Sequence, residues 1–405
     1  MDSFSFTIPQ NIKFGAGTLD LLPDLAKELG KSKGYIISGP HLNKIGMVAK
    51  CRKALKNAGM ESECFTETEG NPSTDTVVKA TEGFKKSKAD FIVAFGGGSP
   101  LDVAKAVAVL ATYGGNIVDY EGAGKVMGPV VPMIAIPTTA GTGSEVTAFS
   151  VITDYDKGIK YPLADFNITP DIAIVDSALA ETMPKKLVAH TGMDAMTHAI
   201  EAYVSTLHCN YTDAVALHAI KMIHKELKKS FDGCMTARAE MHDAQCLAGM
   251  AFSNALLGIV HSMAHKTGAA YTGDHIIHGC ANAMYLPKVI KYNAKNEEAA
   301  ERYAQIADHI GLGGTTTTEK VDALIAELRS MNDQLDIPQA IKFYGAGGVK
   351  AETSIIDEAE FLEKLPIVAA NAIGDACTGS NPRQPSQEEM EKLLKACYYD
   401  LEIDF

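Results

Sequence analysis

The segment Phe91-Ile-Val-Ala-Phe-Gly-Gly-Gly-Ser-Pro-Leu-Asp102 joins a continuous apolar run to a glycine-rich turn and the start of a helical pattern. The apolar run predicts a strand that is buried on both faces, and the helix is expected from Pro100 to about Ala111. Ser99 is expected to cap this helix, with Pro100 in its first turn and Asp102 reaching back to the cap. A glycine loop between a buried strand and a helix N-terminus is suited to binding phosphate.

The same alternation of buried strands and helices extends over the first 183 residues. A helix is expected around Val48–Ala58, and strands are expected at Gly34–Ser38, Phe91–Phe95, Met133–Ile136 and Ile172–Val175. Continuous apolar strands separated by helices predict a mainly parallel sheet covered on both faces. Such sheets bind ligands at the carboxyl ends of their strands.

From Pro184 onward the strand-like runs stop and amphipathic helical patterns take their place. These patterns cover Pro184–Ser205, Tyr211–Phe231, Ala237–Leu257, Ala283–Asn293, Glu297–Ile310 and Thr318–Leu328. A chain of 405 residues is long enough for two domains. We therefore expect an α/β domain over residues 1–183 and an all-helical domain over residues 184–405.

Composition narrows the classes of partner. The formal net charge of −13 argues against a nucleic-acid binder. No apolar run is long enough to span a membrane, and the first residues lack the pattern of a secretory leader. The eight cysteines are scattered without a CxxC pair, so we expect reduced thiols in a cytoplasmic protein.

A second loop, Pro137-Thr-Thr-Ala-Gly-Thr-Gly-Ser-Glu145, also follows a predicted strand and is rich in small hydroxyl side chains. Neither loop matches GxGxxG or the GK[ST] of nucleotide triphosphatases. Two phosphate-type loops at successive strand ends favour a dinucleotide over a mononucleotide. The alternative is that both are tight structural turns that bind nothing.

Candidate metal ligands lie in the helical half. Asp194 and His198 are four residues apart, so a helix places them on one face. A dense cluster of histidines further along could complete the shell from another helix; its members are His242, His261, His265, His275 and His278. A carboxylate with imidazoles suits Fe(II), Mn(II), Ni(II) or Zn(II). The alternative, ordinary packed histidines, is weakened by the apolar surroundings, where unpaired imidazoles are costly to bury.

Seven motifs, in order along the chain, resemble those of the iron-containing (group III) alcohol dehydrogenases, the family of lactaldehyde reductase, 1,3-propanediol dehydrogenase and butanol dehydrogenase. The matching segments are Phe14–Gly17, Gly96–Lys105, Pro137–Glu145, Gly192–Tyr203, His261–Lys266, His278–Ala283 and Ser380–Arg383. The resemblance implies a Rossmann-like N-terminal domain with an all-α C-terminal domain, the dehydroquinate synthase-like fold.

By the same resemblance, individual residues receive roles. The implied metal ligands are Asp194, His198, His261 and His278, while His265 is a non-ligand histidine beside the nicotinamide and the substrate. The implied cofactor contacts are Gly97, Gly98, Ser99, Asp102, Thr138, Thr139, Thr142, Lys160 and Leu179. The family implies Fe(II), with Zn(II) or Ni(II) as alternatives, and a homodimer or larger homo-oligomer.

Two departures from the family pattern carry predictions. The chain is about three residues longer around 272–274, which leaves His275 at the usual distance from His261, although the motif itself follows His278. The strand that ends at Ser38 is followed by Gly39, where NAD-preferring members typically carry an Asp. Without that carboxylate to repel a 2′-phosphate, NADP(H) is expected to be tolerated and preferred, with dual use as the alternative because no adjacent Arg is present.

The expected activity is reversible hydride transfer between NAD(P)(H) and a small primary alcohol, diol or aldehyde, with His265 as the candidate that passes a proton toward solvent. Within the superfamily, the alternatives are a zinc-dependent glycerol dehydrogenase, a dehydroquinate synthase and a transhydrogenase. A metal-dependent hydrolase and a non-catalytic nucleotide-binding module are the alternatives from other classes. The hydrolase would not bind a nicotinamide cofactor, and the nucleotide-binding module would not need a metal site.

Overall fold

The computed structural model describes residues 5–155, 159–268, 270–271 and 275–405. The chain forms two compact units. One is Thr7–Thr182, and the other is Met183–Phe405 together with the N-terminal segment, from which Phe6 stacks on Tyr211.

The first unit alternates strands and helices. Its strands are β1 (Asn11–Phe14), β2 (Lys33–Ile37), β3 (Glu61–Phe65), β4 (Phe91–Gly96), β5 (Gly122–Ala123), β6 (Met133–Pro137), β7 (Phe149–Asp154), β8 (Ile159–Ala164) and β9 (Ile172–Val175). Its helices are α1 (Leu22–Glu28), α2 (Pro40–Lys44), α3 (Met47–Asn57), α4 (Thr74–Ser87) and α5 (Gly98–Tyr113).

Six of these strands form one sheet in the order β1-β9-β6-β4-β2-β3, and every pairing in it is parallel. β4 and β6 are neighbours, with Gly96 opposite Pro137, so the two glycine-containing loops leave adjacent strand ends. The predicted parallel sheet is confirmed, and the two loops meet at its carboxyl edge as expected.

Alternate side chains of the central strands enter two separate cores. Ile92 and Ala94 of β4 pack with Tyr35 on one face, whereas Phe91 and Val93 pack with Ile134 on the other face. Both cores are closed by buried side chains of the surrounding helices. A sheet buried on both faces explains why its strands are continuous apolar runs.

The start of α5 differs from the prediction. Gly97 is the N-cap residue and the helix begins at Gly98, so Ser99 and Pro100 lie inside its first turn, and no side chain caps the helix. The carboxylate of Asp102 does not reach back to a cap. It accepts hydrogen bonds from the Ser144 hydroxyl at 3.0 Å and from the backbone N–H of Val151 at 3.3 Å. The predicted capping box is therefore wrong, because the second loop takes the Asp102 side chain.

A second, three-stranded sheet of order β5-β8-β7 was not predicted. β7 and β8 pair antiparallel, while β5 is only two residues long and pairs parallel with β8. β5 is too short to give a pattern, and β7 and β8 mix polar with apolar side chains, so they lack the continuous apolar run that marks the strands of the large sheet.

The described part of the second unit contains helices and no strand. They are α6 (Lys185–Val204), α7 (Asn210–Phe231), α8 (Met235–Ala255), α9 (Ile259–Thr267), α10 (His278–Asn293), α11 (Glu297–His309), α12 (Thr317–Gln334), α13 (Glu358–Ile373) and α14 (Gln387–Tyr399). Among the described residues no single helix is long and apolar enough to cross a bilayer. Only α8 and α9 taken as a pair, bent by 102°, meet that length and composition.

Two of these helices are longer than predicted. α10 begins at His278 instead of Ala283, because the weak helix formers Gly279, Cys280 and Asn282 are held by their neighbours in the fold. α12 begins with a capping box of Thr316 and Glu319 and continues to Gln334, six residues beyond the predicted end.

Candidate metal centre and dinucleotide loops

Helix α6 carries two of the predicted metal ligands, Asp194 and His198, one turn apart on one buried face. Asp194 Oδ1 lies 3.9 Å from His198 Nε2. The His198 ring is stacked between Phe252 of α8 and His261 of α9, with centroid distances of 4.3 and 4.6 Å. Packing on both ring faces fixes the orientation of this imidazole.

The other two predicted ligands come from neighbouring helices. His261 of α9 places Nε2 3.7 Å from Asp194 Oδ1, and His278, the first residue of α10, places Nε2 3.6 Å from the same oxygen. Ligand atoms of Asp194, His198 and His261 lie within 4.8 Å of one another. Three helices therefore bring one carboxylate and three imidazoles to a single point.

Gly279 explains how α10 can start so close to α6. A Cβ atom at this position would lie 2.2 Å from the backbone oxygen of His190 on α6. Only glycine permits this approach. The residue that follows His278 in the motif thus sets the distance between the two helices and brings His278 to Asp194.

Charges in this cluster are strongly coupled. Burial alone would raise the pKa of Asp194, but the positive charges of His198 and His278 and the contact with His261 hold it well below its usual range. Burial alone would lower the pKa of His261, yet the carboxylates of Glu201 and Asp194 raise it to about 9. Asp194 is thus an anion, the form in which a carboxyl group binds a metal.

Sequence reading missed two buried residues at this centre. Glu201 accepts a hydrogen bond from Nδ1 of His261 at 2.5 Å. The Asn282 amide Nδ2 donates to Asp194 Oδ1 at 2.7 Å and lies 3.0 Å from Nε2 of His261 and 3.3 Å from Nε2 of His278. Helical spacing could have found both, because Glu201 lies seven residues after Asp194 and Asn282 four residues after His278.

His265 lies one helical turn after His261 and stacks on His278 with a centroid distance of 5.3 Å. Its Nδ1 is 3.3 Å from Oδ2 of Asp375, a buried carboxylate that also forms an ion pair with Lys266 at 2.8 Å. Burial would raise the pKa of Asp375, but the hydrogen bond and charge of His265 and the charge of Lys266 keep it far below its usual range. Asp375 was not predicted.

His275, the alternative fourth ligand, is exposed, and its backbone oxygen accepts a hydrogen bond from the Tyr344 hydroxyl at 2.9 Å. The described geometry brings His278, and not His275, to Asp194. The predicted extra residues at 272–274 lie outside the described residues.

The donor set of Asp194, His198, His261 and His278 fits a divalent cation. It contains one anionic oxygen and three imidazole nitrogens and no thiolate, a combination suited to Fe(II), Zn(II) or Ni(II). The side chains are held by packing on three helices, so few rotamers need to change for them to close on an ion.

In the first unit, most predicted cofactor residues follow the carboxyl ends of four neighbouring strands. Gly39 follows β2, Leu179 follows β9, and the two loops follow β4 and β6. The loop residues are Gly97, Gly98, Ser99 and Asp102 after β4 and Thr138, Thr139 and Thr142 after β6. Lys160 is the exception, since it lies on β8 of the small sheet and donates to Asn71 at 2.9 Å.

The two loops are in direct contact. A Cβ atom at Gly97 would lie 3.2 Å from the Thr139 methyl group, and one at Gly98 would lie 3.0 Å from that of Thr142. Gly96 has a positive φ of 151°, and a Cβ there would lie 2.7 Å from Pro100. These glycines allow the Thr-rich loop to lie against the first turn of α5.

A buried lysine that was not predicted as a functional residue donates hydrogen bonds to the second loop and to the residues that follow it. Lys105 of α5 is fully buried and donates to the hydroxyls of Ser144 (3.0 Å) and Thr147 (3.1 Å) and to the backbone oxygen of Phe149 (2.7 Å). Burial lowers its pKa to about 8, against the opposing effect of Asp102 and Glu145. Burial likewise raises the pKa of Asp102 to about 6.

Two family models match this chain, one in each half. The family model for iron-containing alcohol dehydrogenase matches residues 9–177, and that for the C-terminal part of the Fe-containing alcohol dehydrogenase family matches residues 188–398.

Individual relatives cover almost the whole chain. The chain is 50% identical to an NADPH-dependent butanol dehydrogenase of Clostridium saccharobutylicum over 99% of both chains. It is 36% identical to an NAD-dependent methanol dehydrogenase of Bacillus methanolicus over 96% of this chain and 99% of that one. A solved 1,3-propanediol oxidoreductase superposes with a TM-score of 0.90 at 33% identity, covering 98% of this chain and all of the other.

Glycine-containing loops at the edge of a parallel sheet and a carboxylate–imidazole cluster are the features of dehydrogenases that use a nicotinamide dinucleotide and a divalent metal. Within this class, the chain belongs to the iron-containing alcohol dehydrogenase family. It is therefore an oxidoreductase that interconverts small alcohols and aldehydes with NAD(P)(H).

Proposed function

We propose that this enzyme is an iron-dependent butanol-type dehydrogenase that prefers NADPH and reduces short aldehydes. The buried cluster of Asp194, His198 and His261, with His278 beside it, carries the metal part of the proposal. The relative that is 50% identical over 99% of both chains, an NADPH-dependent butanol dehydrogenase, supports the cofactor and the substrate class.

We assign the two units separate tasks. Residues 1–183 would bind the dinucleotide along the carboxyl edge of the six-stranded sheet, with the N–H groups at the start of α5 and the Thr139 and Thr142 hydroxyls toward the pyrophosphate. Residues 184–405 would hold the cation through Asp194, His198, His261 and His278.

Gly39 and its neighbours support the NADPH preference. No carboxylate is present at this position to repel a 2′-phosphate, and the buried hydroxyls of Ser38 and Thr68 have no hydrogen-bond partner among the described residues. Thr68 is adjacent, because its N–H donates to the Ser38 oxygen at 3.3 Å. Unpaired buried hydroxyls beside Gly39 favour a polar ligand group there.

The chemistry divides between bound groups and side chains. A cation held by Asp194, His198, His261 and His278 would supply Lewis acidity, and a bound nicotinamide would supply or accept the hydride. His265, oriented by Asp375, would hold the proton that the substrate oxygen gains on reduction or loses on oxidation. Replacing His265 by Asn should lower kcat about 100-fold. An unchanged kcat would exclude this role.

We also propose that the chain forms a homo-oligomer in the cytoplasm. The apolar side chain of Phe14, on edge strand β1, is 68% exposed, which favours a covered surface. All eight cysteines are free thiols, as suits a reducing compartment. Light scattering on the purified protein measures the number of subunits, and a monomer at micromolar concentration would contradict the first proposal.

The decisive experiment uses protein purified without oxygen and stripped with a chelator. Butanal and lactaldehyde reduction is measured with NADPH and NADH, before and after addition of Fe(II), Zn(II) or Ni(II). We expect turnover only after metal addition, fastest with Fe(II) and NADPH. If no metal supports nicotinamide turnover, the proposal is wrong, and the lyase and hydrolase alternatives must be tested instead.

A further inference from the structure

Glu201 contacts the proposed metal ligand His261 through its carboxylate and has no assigned role. Glu201 lies on α6, on the same face as Asp194 and His198, and it is buried. Its Oε2 accepts a hydrogen bond from His261 Nδ1 at 2.5 Å, and its Oε1 accepts one from the backbone N–H of Val260 at 2.8 Å. Each carboxylate oxygen therefore has a donor on α9.

These two hydrogen bonds fix helix α9 at its first turn. Val260 and Ile259 supply N–H groups that have no partner inside the helix, and Glu201 and Asn381 accept them. Gly258 leaves the necessary space, because a Cβ atom there would lie 2.8 Å from Glu201 Oε1 and 2.7 Å from Asn381 Oδ1. The lack of a side chain at Gly258 thus leaves room for the buried Glu201 carboxylate at the start of α9.

We propose that Glu201 is a positioning residue that sets metal affinity by fixing the proton of His261 on Nδ1. A carboxylate can only accept, so Nδ1 keeps its proton and donates, and Nε2 is the nitrogen that gives up its proton and offers a lone pair when a cation binds. Nε2 is the nitrogen that faces Asp194 Oδ1 and the Asn282 amide. Partners of this kind fix the ring orientation of metal-ligating histidines and raise their basicity as ligands.

The proposal rests on the metal site proposed above, and Glu201→Gln separates the two. Glutamine keeps the size of the side chain but can accept through only one oxygen. If that oxygen stays with Val260, the amide N–H group faces Nδ1, which must then accept, and the proton moves to Nε2 where the cation would bind. Metal affinity is expected to fall about 10- to 100-fold, the usual effect of removing a hydrogen-bond partner of a metal ligand.

The measurement is a competition between the protein and a chromogenic chelator for Zn(II) and Co(II), followed also by the visible spectrum of bound Co(II). Unfolding temperatures in excess chelator check that the metal-free folds are equally stable. Glu226→Gln on α7 is the matched control, since the Glu226 carboxylate is buried but pairs only with Lys225 and Lys229 in the described contacts. It should bind both metals as the wild type does.

Three outcomes are distinguishable. Wild-type binding of one equivalent with a 10- to 100-fold weaker E201Q supports the proposal. Equal affinities, within twofold, overturn the role of Glu201 and leave the metal site standing, whereas a wild type that binds no metal overturns both. If E201Q does not fold in chelator, Glu201→Asp decides, because its shortened carboxylate should weaken binding about fivefold or more. Affinity within twofold of wild type would again exclude the proposal.

Discussion

At the residue scale, Gly39 is the simplest test of cofactor choice. Its backbone φ of −97° and ψ of 164° suit any residue, and a Cβ atom would meet only the Thr68 backbone oxygen, at 3.3 Å. Gly39→Asp should therefore fold and place a negative charge near a 2′-phosphate. We expect the ratio of kcat/KM for NADPH to that for NADH to fall at least about tenfold.

The comparison requires both coenzymes to be measured at the same aldehyde and metal concentrations. Gly313→Asp, with no heavy atom within 4 Å of its Cβ position, adds the same charge outside the unit that holds Gly39, so this control should leave the ratio unchanged. An unchanged ratio in Gly39→Asp would show that the 2′-phosphate is bound elsewhere.

Single residues also show the limits of sequence reading. Asp194 and His198 could be predicted as a pair because helical spacing alone places them together. Glu201 and Asn282 follow the same spacing, but a buried Glu or Asn in a helix has many structural explanations until its partner is known. Asp375 could not be predicted, because its contact with His265 spans 110 positions of sequence and depends on the fold.

At the element scale, the approach of α10 to α6 is the feature most sensitive to volume. Gly279→Ala would place a methyl group 2.2 Å from the His190 oxygen, so α10 must move and carry His278 away from Asp194. We expect a loss of about 3 kcal/mol in the free energy of unfolding and weaker Zn(II) binding. Denaturant unfolding and metal competition measure the two effects.

Gly313→Ala is the control for this helix contact, because Gly313 is exposed and has no heavy atom within 4 Å of its Cβ position. It should change neither quantity. Normal metal affinity in Gly279→Ala would mean that His278 is not needed for the cation.

The buried Lys105 tests a second element contact, between α5 and the Thr-rich loop. Lys105→Met leaves Asp102 and Glu145 without their cation, so we expect the first unit to lose about 3–5 kcal/mol. Folding lowers the pKa of Lys105 from 10.5 to about 8, so the unfolded chain holds that proton more tightly. Wild-type stability should therefore gain a component as pH rises from about 8 to 10.5, and Lys105→Met should lack it.

Denaturant unfolding at several pH values measures this difference. Lys86→Met, on the exposed side of α4, is the control and should keep the wild-type profile. Parallel pH profiles for wild type and Lys105→Met would contradict the lowered pKa.

Element boundaries show what the sequence could not specify. The buried strands β4, β6 and β9 were predictable from continuous apolar runs, since both faces of the sheet are covered. The start of α5 was not, because capping rules favour Ser99 while the contact of Asp102 with Ser144 is tertiary. The predicted α10 was too short at its N-terminus for a similar reason, because tertiary packing overrides the low helix propensity of its first residues.

At the scale of the whole molecule, the two units should respond to different ligands. The proposed metal ligands lie on α6, α9 and α10, all within Met183–Phe405, whereas the proposed dinucleotide contacts lie within Thr7–Thr182. A ligand stabilises the folded state to which it binds, by about 2.7 kcal/mol at 100 times its Kd. We therefore expect Zn(II) to slow hydrogen exchange chiefly in α6, α9 and α10, and NADP⁺ to slow it chiefly after β4 and β6.

Hydrogen exchange followed by mass spectrometry can separate these effects in the full chain. The chelator-treated protein with neither ligand is the reference, and a D194N/H198A variant with added Zn(II) is the control for the metal. NADP⁺ should still protect the loops of that variant, because its proposed site lies in the other unit. Loss of loop protection in the metal-site variant would show that the cation is needed to bind the dinucleotide, and the proposed division of tasks between the units would then be wrong.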